Sequence, residues 1–154
     1  SYTTRKIRKS EIDGKDYFFT SREHFESMIS EDQFIEYQSV YGNLYGSTKE
    51  NVHNQLDEGH DVILEIDYKG MMKIKSIYPE AITIYIVPPY IDSLRERLIS
   101  RAQDDLETVE KRISSARFEL CYAKFADYVI INGNFRSALV DLVEIILVNK
   151  LAKL

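Results

Sequence analysis

A single cysteine, Cys121, stands in the 154 residues, so no intrachain disulfide can form and the stapled scaffolds of small secreted proteins are excluded. No apolar run reaches the roughly 20 residues that cross a bilayer. The first residues carry no apolar signal segment. A reducing, cytoplasmic setting without a membrane partner is the expectation. Positive charge is also short: 25 acidic residues face 20 basic ones, for a net charge of −5. That balance excludes the basic field on which non-specific nucleic-acid binding depends, but leaves room for a local anion site. Internal repeats and low-complexity tracts are absent as well.

What is present is an ordinary globular composition, 44% hydrophobic and 29% charged, on a chain long enough for one domain with its own core. The character changes near residue 60. Before it come short tyrosine-rich strands, Tyr17 to Phe19 and Ile35 to Tyr41. A helix opened by Ser21 carries Phe25, Met28 and Ile29. A second helix is expected over 48–58, ended by Gly59. After residue 60, strands (62–67, 81–87, 128–131) alternate with helices (71–78, from Asp92, 106–124, 137–151), the pattern of a parallel α/β sheet with crossovers.

The residues that carry chemistry fall into three groups. Arg5 and Arg8 lie three apart, Glu11 follows after three more, and Tyr17 comes after a turn at Gly14. Two guanidinium forks and a phenol so close together read as an anion site, because Arg grips phosphate through paired charge-assisted bonds. Glu36, if buried, would be costly unless paired, and a ligand with two N–H donors would suit it; a guanine edge offers that pair and adenine does not. Tyr41 to Ser47 has turn chemistry at Gly42-Asn43 and a break at Gly46.

Glu65 and Asp67 end an apolar strand, where ligands sit in open parallel sheets, though an acid there also caps the next turn. Arg97, Arg101 and Arg112 flank a polar connection. Arg97 and Arg101 share a helical face and could neutralise a transferring phosphoryl group, or simply be solvated. His24, His53 and His60 lack metal-ligand spacing, and Cys121 reads as a packed thiol.

Taken in order, these stretches resemble the bacterial-type guanylate kinase family. Ser1 to Phe19 is similar to its opening motif, S-x-T-T-R-x-x-R-x-x-E-x-x-G-x-D-Y-x-F. Further agreement comes at Phe34-Ile35-Glu36-Tyr37, Gly42-Asn43-Leu44-Tyr45-Gly46, Leu64-Glu65-Ile66-Asp67, Ile86-Val87-Pro88-Pro89 and Tyr128 to Asn132. The resemblance implies a P-loop kinase-type parallel sheet with helices on both faces and a small mixed β/α GMP-binding lobe. Residues 1–154 would then be one domain, about 1–47 the lobe and 48–154 the core, with a lid near 97–112. It implies transfer of the ATP γ-phosphate to GMP, with Mg2+ accompanying ATP. Arg5, Arg8, Tyr17 and Tyr45, with Glu11 in the same cluster, would hold the GMP phosphate. Glu36 would read guanine N1 and N2, with Ser1 and Ser47 near the base. Glu65 and Asp67 would lie near GMP and the magnesium shell, Asp67 through water. Arg97, Arg101 and Arg112 would be catalytic, closing on the transferring phosphate, and Asn132 would edge the adenine site.

This sequence departs from the family pattern in places. Ile7 and Ser10 replace a Pro and a Gly in the opening motif, Ala102-Gln103 stands for Gly-Thr at the lid hinge, and Gly133 replaces an Asp beside Asn132. No G-x-x-x-x-G-K-[ST] occurs in the 154 residues, whereas the family carries it ahead of the opening motif, where it cradles the triphosphate. These residues alone are therefore expected to bind ATP poorly and to be inactive. Two origins would fit: part of a longer protein, or a fragment completed by a swapped or partner strand, with a homodimer as the assembly to test. The rival reading is a non-enzymatic guanylate kinase-like module that binds phosphopeptides in the same pocket and lacks a P-loop.

Overall fold

The computed structural model of the chain describes residues 1–101 and 105–152, Arg101 by its backbone alone. Two compact units divide it, Ser1–Pro79 and Glu80–Leu154.

The first unit is built on a four-stranded mixed sheet. Its strands are β1 (Tyr2–Thr3), β2 (Phe18–Phe19), β3 (Phe34–Val40) and β4 (Asn43–Thr48), in the spatial order β2-β1-β4-β3. β1 runs parallel to β2 and antiparallel to β4, and β3 with β4 forms a hairpin. Helix α1 (Arg22–Ser30) starts where Ser21 accepts a hydrogen bond from the His24 N–H at 3.1 Å, and it turns Phe25 and Met28 inward. Phe25 stacks on Phe34 at a ring separation of 4.4 Å, and with Met28 and Leu44 they make the core of this unit. Burying each such side chain stabilises the fold by about 1.5–3 kcal/mol. Helices α2 (Lys49–Asp57) and α3 (Tyr68–Ile77) complete the unit.

Local chemistry fixes the register. Val40 pairs with Asn43, so the hairpin loop is Tyr41-Gly42, one residue earlier than the expected Gly42-Asn43. Both loop residues have positive φ, 49° and 80°, the geometry that matches strand twist in two-residue hairpins. Thr3 donates to the Leu44 carbonyl at 3.0 Å, and Thr4 accepts from the Leu44 N–H at 2.9 Å. These two hydroxyls stitch β1 to β4 and set where the Arg5 loop leaves the sheet.

Two expectations are corrected here. Gly46 does not break the chain; it lies inside β4, because a Cβ there would meet Phe34 Cδ1 at 2.7 Å. Residues 62–67 form no strand among the described residues. Their half-buried Val62, Leu64 and Ile66 alternate with exposed Ile63 and Glu65, so the strand period is present. Neither sheet pairs with them, however, and a strand exists only through its neighbours' hydrogen bonds.

In the second unit, β5 (Ile84–Val87) and β6 (Tyr128–Ile131) pair in parallel, from Ile84 opposite Tyr128 to Val87 opposite Ile131. Helices α4 (Ile91–Arg101) and α5 (Leu106–Glu119) and a 3-10 turn (Leu120–Phe125) make the crossover, and α6 (Phe135–Leu151) closes the unit. Leu98, Val109 and Ile113 form the α4–α5 core. Asp127 accepts from both the Thr83 N–H and its hydroxyl, at 2.8 and 2.7 Å, locking the start of the two strands. The helix expected over 106–124 changes to 3-10 geometry after Glu119, whose carbonyl accepts the Tyr85 hydroxyl at 2.8 Å.

Candidate active site

A cleft of about 430 Å³ opens in the first unit. Seven of the candidate site residues line it: Ser1, Tyr17, Glu36, Tyr45, Ser47, Glu65 and Asp67. β3 and β4 supply the Glu36 side. Glu36 is only 4% exposed, and its Oε1 accepts the Ser47 N–H at 3.1 Å. The Ser47 hydroxyl in turn meets the Ser1 hydroxyl at 3.1 Å. Tyr17 and Tyr45 set their rings edge to face, 6.1 Å apart.

Arg5 joins this group through aromatic faces, its guanidinium 5.6 Å from the ring centres of both Tyr17 and Phe19. The fork itself is engaged by Glu11, Nη2 to Oε1 at 2.7 Å and Nη1 to Oε2 at 3.0 Å, and Nη1 also reaches the Lys6 carbonyl at 2.7 Å. Glu11 Oε2 further accepts the Arg8 N–H at 2.8 Å, while the rest of Arg8 is exposed. One carboxylate thus fastens both arginine positions, by side chain at one and by backbone at the other.

In the second unit Arg97, on α4, donates to the Asn132 carbonyl at 2.7 Å, and the Asn132 N–H donates to Val87 at 2.8 Å. Arg112 is half-buried on α5. Arg101's side chain and the Ala102-Gln103 departure lie outside the described residues.

The guanylate kinase family model matches residues 1–149. The chain belongs to the guanylate kinase family. A guanylate kinase of Psychrobacter arcticus is 47% identical over 150 residues, covering 97% of this chain and 72% of that protein. One of Coxiella burnetii is 42% identical over 153 residues, covering 99% and 74%. The crystal structure of guanylate kinase from Anaplasma phagocytophilum superposes with a TM-score of 0.81 at 33% identity, covering 94% of this chain and 71% of that one. The α/β kinase fold of the family is therefore that of this chain.

Electrostatics separate the carboxylates of this guanylate kinase-family cleft. Burial pushes the Glu36 carboxyl above its ordinary value, the Ser47 hydrogen bonds draw it part of the way back, and the Asp67 charge raises it. Glu11 moves the other way, to about 2, held down first by the Arg5 fork and then by the Arg8 N–H. Burial also raises the Tyr17 phenol.

Asp67 accepts the Gly70 N–H through Oδ1 at 2.8 Å, so it caps α3 as a strand-end acid can. Among the described residues no three His, Cys, Asp or Glu side chains gather as a metal cage. Glu65 and Asp67 are acidic donors on the cleft, a set that fits a Mg2+ ion held chiefly by nucleotide phosphates. Gln38, Val40 and Ile63 line the cleft without having been singled out in the sequence, and Asp16 and Ile66 stand in the quoted motif stretches without a role assigned to them. The strand period would have found Gln38 and Val40, which share a face of β3 with Glu36. The same period over 62–67 puts Ile63 on the face of Glu65 and Asp67.

Proposed function

We propose that this chain phosphorylates GMP at the first-unit cleft. An oxygen of the GMP phosphate attacks the γ-phosphorus of ATP, the bond from that phosphorus to the β-γ bridging oxygen breaks, and ADP and GDP leave. The observation that carries the reading is the buried Glu36 carboxylate facing a cleft edged by Tyr17, Tyr45 and Ser47, beside the Arg5–Glu11 fork. Glu36 accepts the guanine N1 and N2 donors, with Ser1 and Ser47 near the base. Arg5, Arg8, Tyr17 and Tyr45 hold the phosphate. Glu11, itself an anion, acts on the phosphate only by fixing Arg5 and the Arg8 backbone.

The protein contributes placement and charge stabilisation rather than covalent chemistry. Arg97, Arg101 and Arg112 neutralise the transferring phosphoryl group, and Asn132 edges the adenine. Glu65 and Asp67 face GMP and the waters of Mg2+, which when bound with ATP neutralises phosphate charge. The chain acts as one domain, with about 1–47 as lobe, 48–154 as core and a lid near 97–112. A cytoplasmic location without nucleic-acid or membrane partners suits a kinase of free nucleotides. No helix among the described residues is long and apolar enough to cross a membrane. The relatives named above are kinases by name, and nothing favours the phosphopeptide alternative.

ADP release coupled to a reporter enzyme tests the reading on a version joined behind a family P-loop segment, with GMP, AMP, CMP and UMP as acceptors. GMP alone should stimulate release strongly. Stimulation by another monophosphate at a comparable rate would overturn the guanine assignment.

A further inference from the structure

Gly70 sits in the first turn of α3, where glycine weakens a helix and where its own φ does not demand one. The reason for it is space. A Cβ built on Gly70 would lie 3.0 Å from Glu36 Oε2, 3.0 Å from Ile66 Cβ and 3.4 Å from Ile66 Cδ1. Ordinary carbon–oxygen contacts are about 3.3–3.6 Å, so a methyl would displace the carboxylate by a few tenths of an ångström. The other oxygen, Oε1, is anchored by the Ser47 N–H at 3.1 Å. Glu36 is thus held between a donor on β4 and the bare backbone of α3, and a push at Oε2 turns the plane of the carboxylate.

We propose that Gly70 is a specificity-positioning residue. Its missing side chain lets Glu36 present both oxygens at the angle a guanine edge requires. The inference rests on the reading of Glu36 as the guanine acceptor. Two parallel N–H···O bonds depend on carboxylate orientation more steeply than one does. A base that offers one donor to Glu36 should therefore feel the change less than guanine does.

The experiment is calorimetric titration of the purified protein with GMP and with inosine monophosphate, which lacks the 2-amino group. Wild type, Gly70→Ala, Glu36→Ala and the double variant are compared. Gly70→Ala should weaken GMP roughly tenfold and inosine monophosphate by less than about threefold, on the scale of one perturbed charge-assisted bond. In the Glu36→Ala background Gly70→Ala should change neither. If Glu36→Ala keeps the wild-type preference for GMP, the guanine reading of Glu36 fails and the inference with it. If Glu36→Ala abolishes the preference but Gly70→Ala retains it, only the Gly70 inference fails. Equal weakening of both nucleotides, repeated in the Glu36→Ala background, would assign the effect to Ile66 and overturn it too. Should Gly70→Ala fail to fold, the double variant decides. Recovered folding supports the opposition of Gly70 to Glu36, and continued failure places the clash at Ile66 and overturns the proposal.

Discussion

Arg5 and Glu11 meet fork to fork, with Nη2–Oε1 at 2.7 Å and Nη1–Oε2 at 3.0 Å, and both side chains are largely shielded from solvent. Such a pair fixes the guanidinium plane, which a phosphate contact requires. Glu11→Ala should therefore weaken GMP binding roughly tenfold, the scale of one charge-assisted bond, although Glu11 itself would repel a phosphate. Glu11→Asp, too short for the same geometry, should recover only part of the loss. Titration calorimetry checks this, and tighter GMP binding in Glu11→Ala would mean that the carboxylate competes with the ligand rather than supporting it.

The same pair has an acid signature. The Glu11 carboxyl titrates at about 2 in the folded chain against an ordinary 4.5. A lowered carboxyl contributes stability that is fully present above pH 4.5 and is lost as pH falls toward 2. Carbon-detected NMR of the Glu11 side chain should show it ionised at pH 4, and Arg5→Ala should return its midpoint toward the ordinary range. A midpoint unchanged by Arg5→Ala would separate the shift from the fork.

Glu36 predicts the opposite trend. Its folded pKa lies above the ordinary 4.5, so its ionised form destabilises the empty fold. That cost is present above the raised value and disappears below 4.5. GMP, in contrast, needs the ionised form. Glu36→Gln, whose carbonyl can still accept the Ser47 N–H, should raise the Tm of the ligand-free protein near neutral pH while weakening GMP. As pH falls through the raised value, the wild-type affinity should approach that of Glu36→Gln. The phosphate of GMP titrates at about 6, so the ratio of the two variants' affinities is the quantity to follow. A ratio flat from pH 7 to pH 4 would remove Glu36's charge from recognition.

Much of this cleft is legible in the sequence, because charge-bearing residues announce themselves. Arg5, Glu36 and Asp67 are identifiable by type and spacing, and Phe25 and Met28 by helical period. Two features escape for opposite reasons. Gly46 reads as a break and Gly70 falls just ahead of the helix expected over 71–78, yet each is set by what a Cβ would strike on another element, Phe34 for one and Glu36 for the other. Residues 62–67 carry the strand period without a paired neighbour among the described residues, because pairing depends on other segments rather than on their own pattern. Arg5's partner was in plain view six residues on, but spacing could not tell whether its fork faced a ligand or Glu11.

Gly46 gives the plainest stability test. A Cβ there would lie 2.7 and 2.8 Å from Phe34 ring carbons and 3.0 Å from Phe25 Cζ, inside the stacked pair that forms the first unit's core. Neither ring has free space to retreat, since Phe25 is wholly buried and Phe34 3% exposed. Gly46→Ala should cost about 1–3 kcal/mol through overpacking, read by urea denaturation, and Phe34→Leu should recover part of it by removing the ring. Full stability in Gly46→Ala would mean that the sheet yields there more easily than a packed core does.

Arg97 is the position where catalysis and architecture can be separated. Its guanidinium spans from α4 to the Asn132 carbonyl at 2.7 Å, just past the last β5–β6 pair. Arg97→Met keeps the aliphatic stem and loses both the hydrogen bond and the charge. Arg97→Lys keeps the charge but reaches with a single ammonium in place of a planar fork. The methionine variant should lose about 1–2 kcal/mol of stability, with faster amide exchange at Asn132 and Gly133. If Arg97 also steadies the transferring phosphoryl group, the lysine variant, made in the P-loop-bearing version, should lower kcat by at least tenfold while its stability falls by less than that of Arg97→Met. A lysine variant with undiminished kcat would confine Arg97 to buttressing the end of β6.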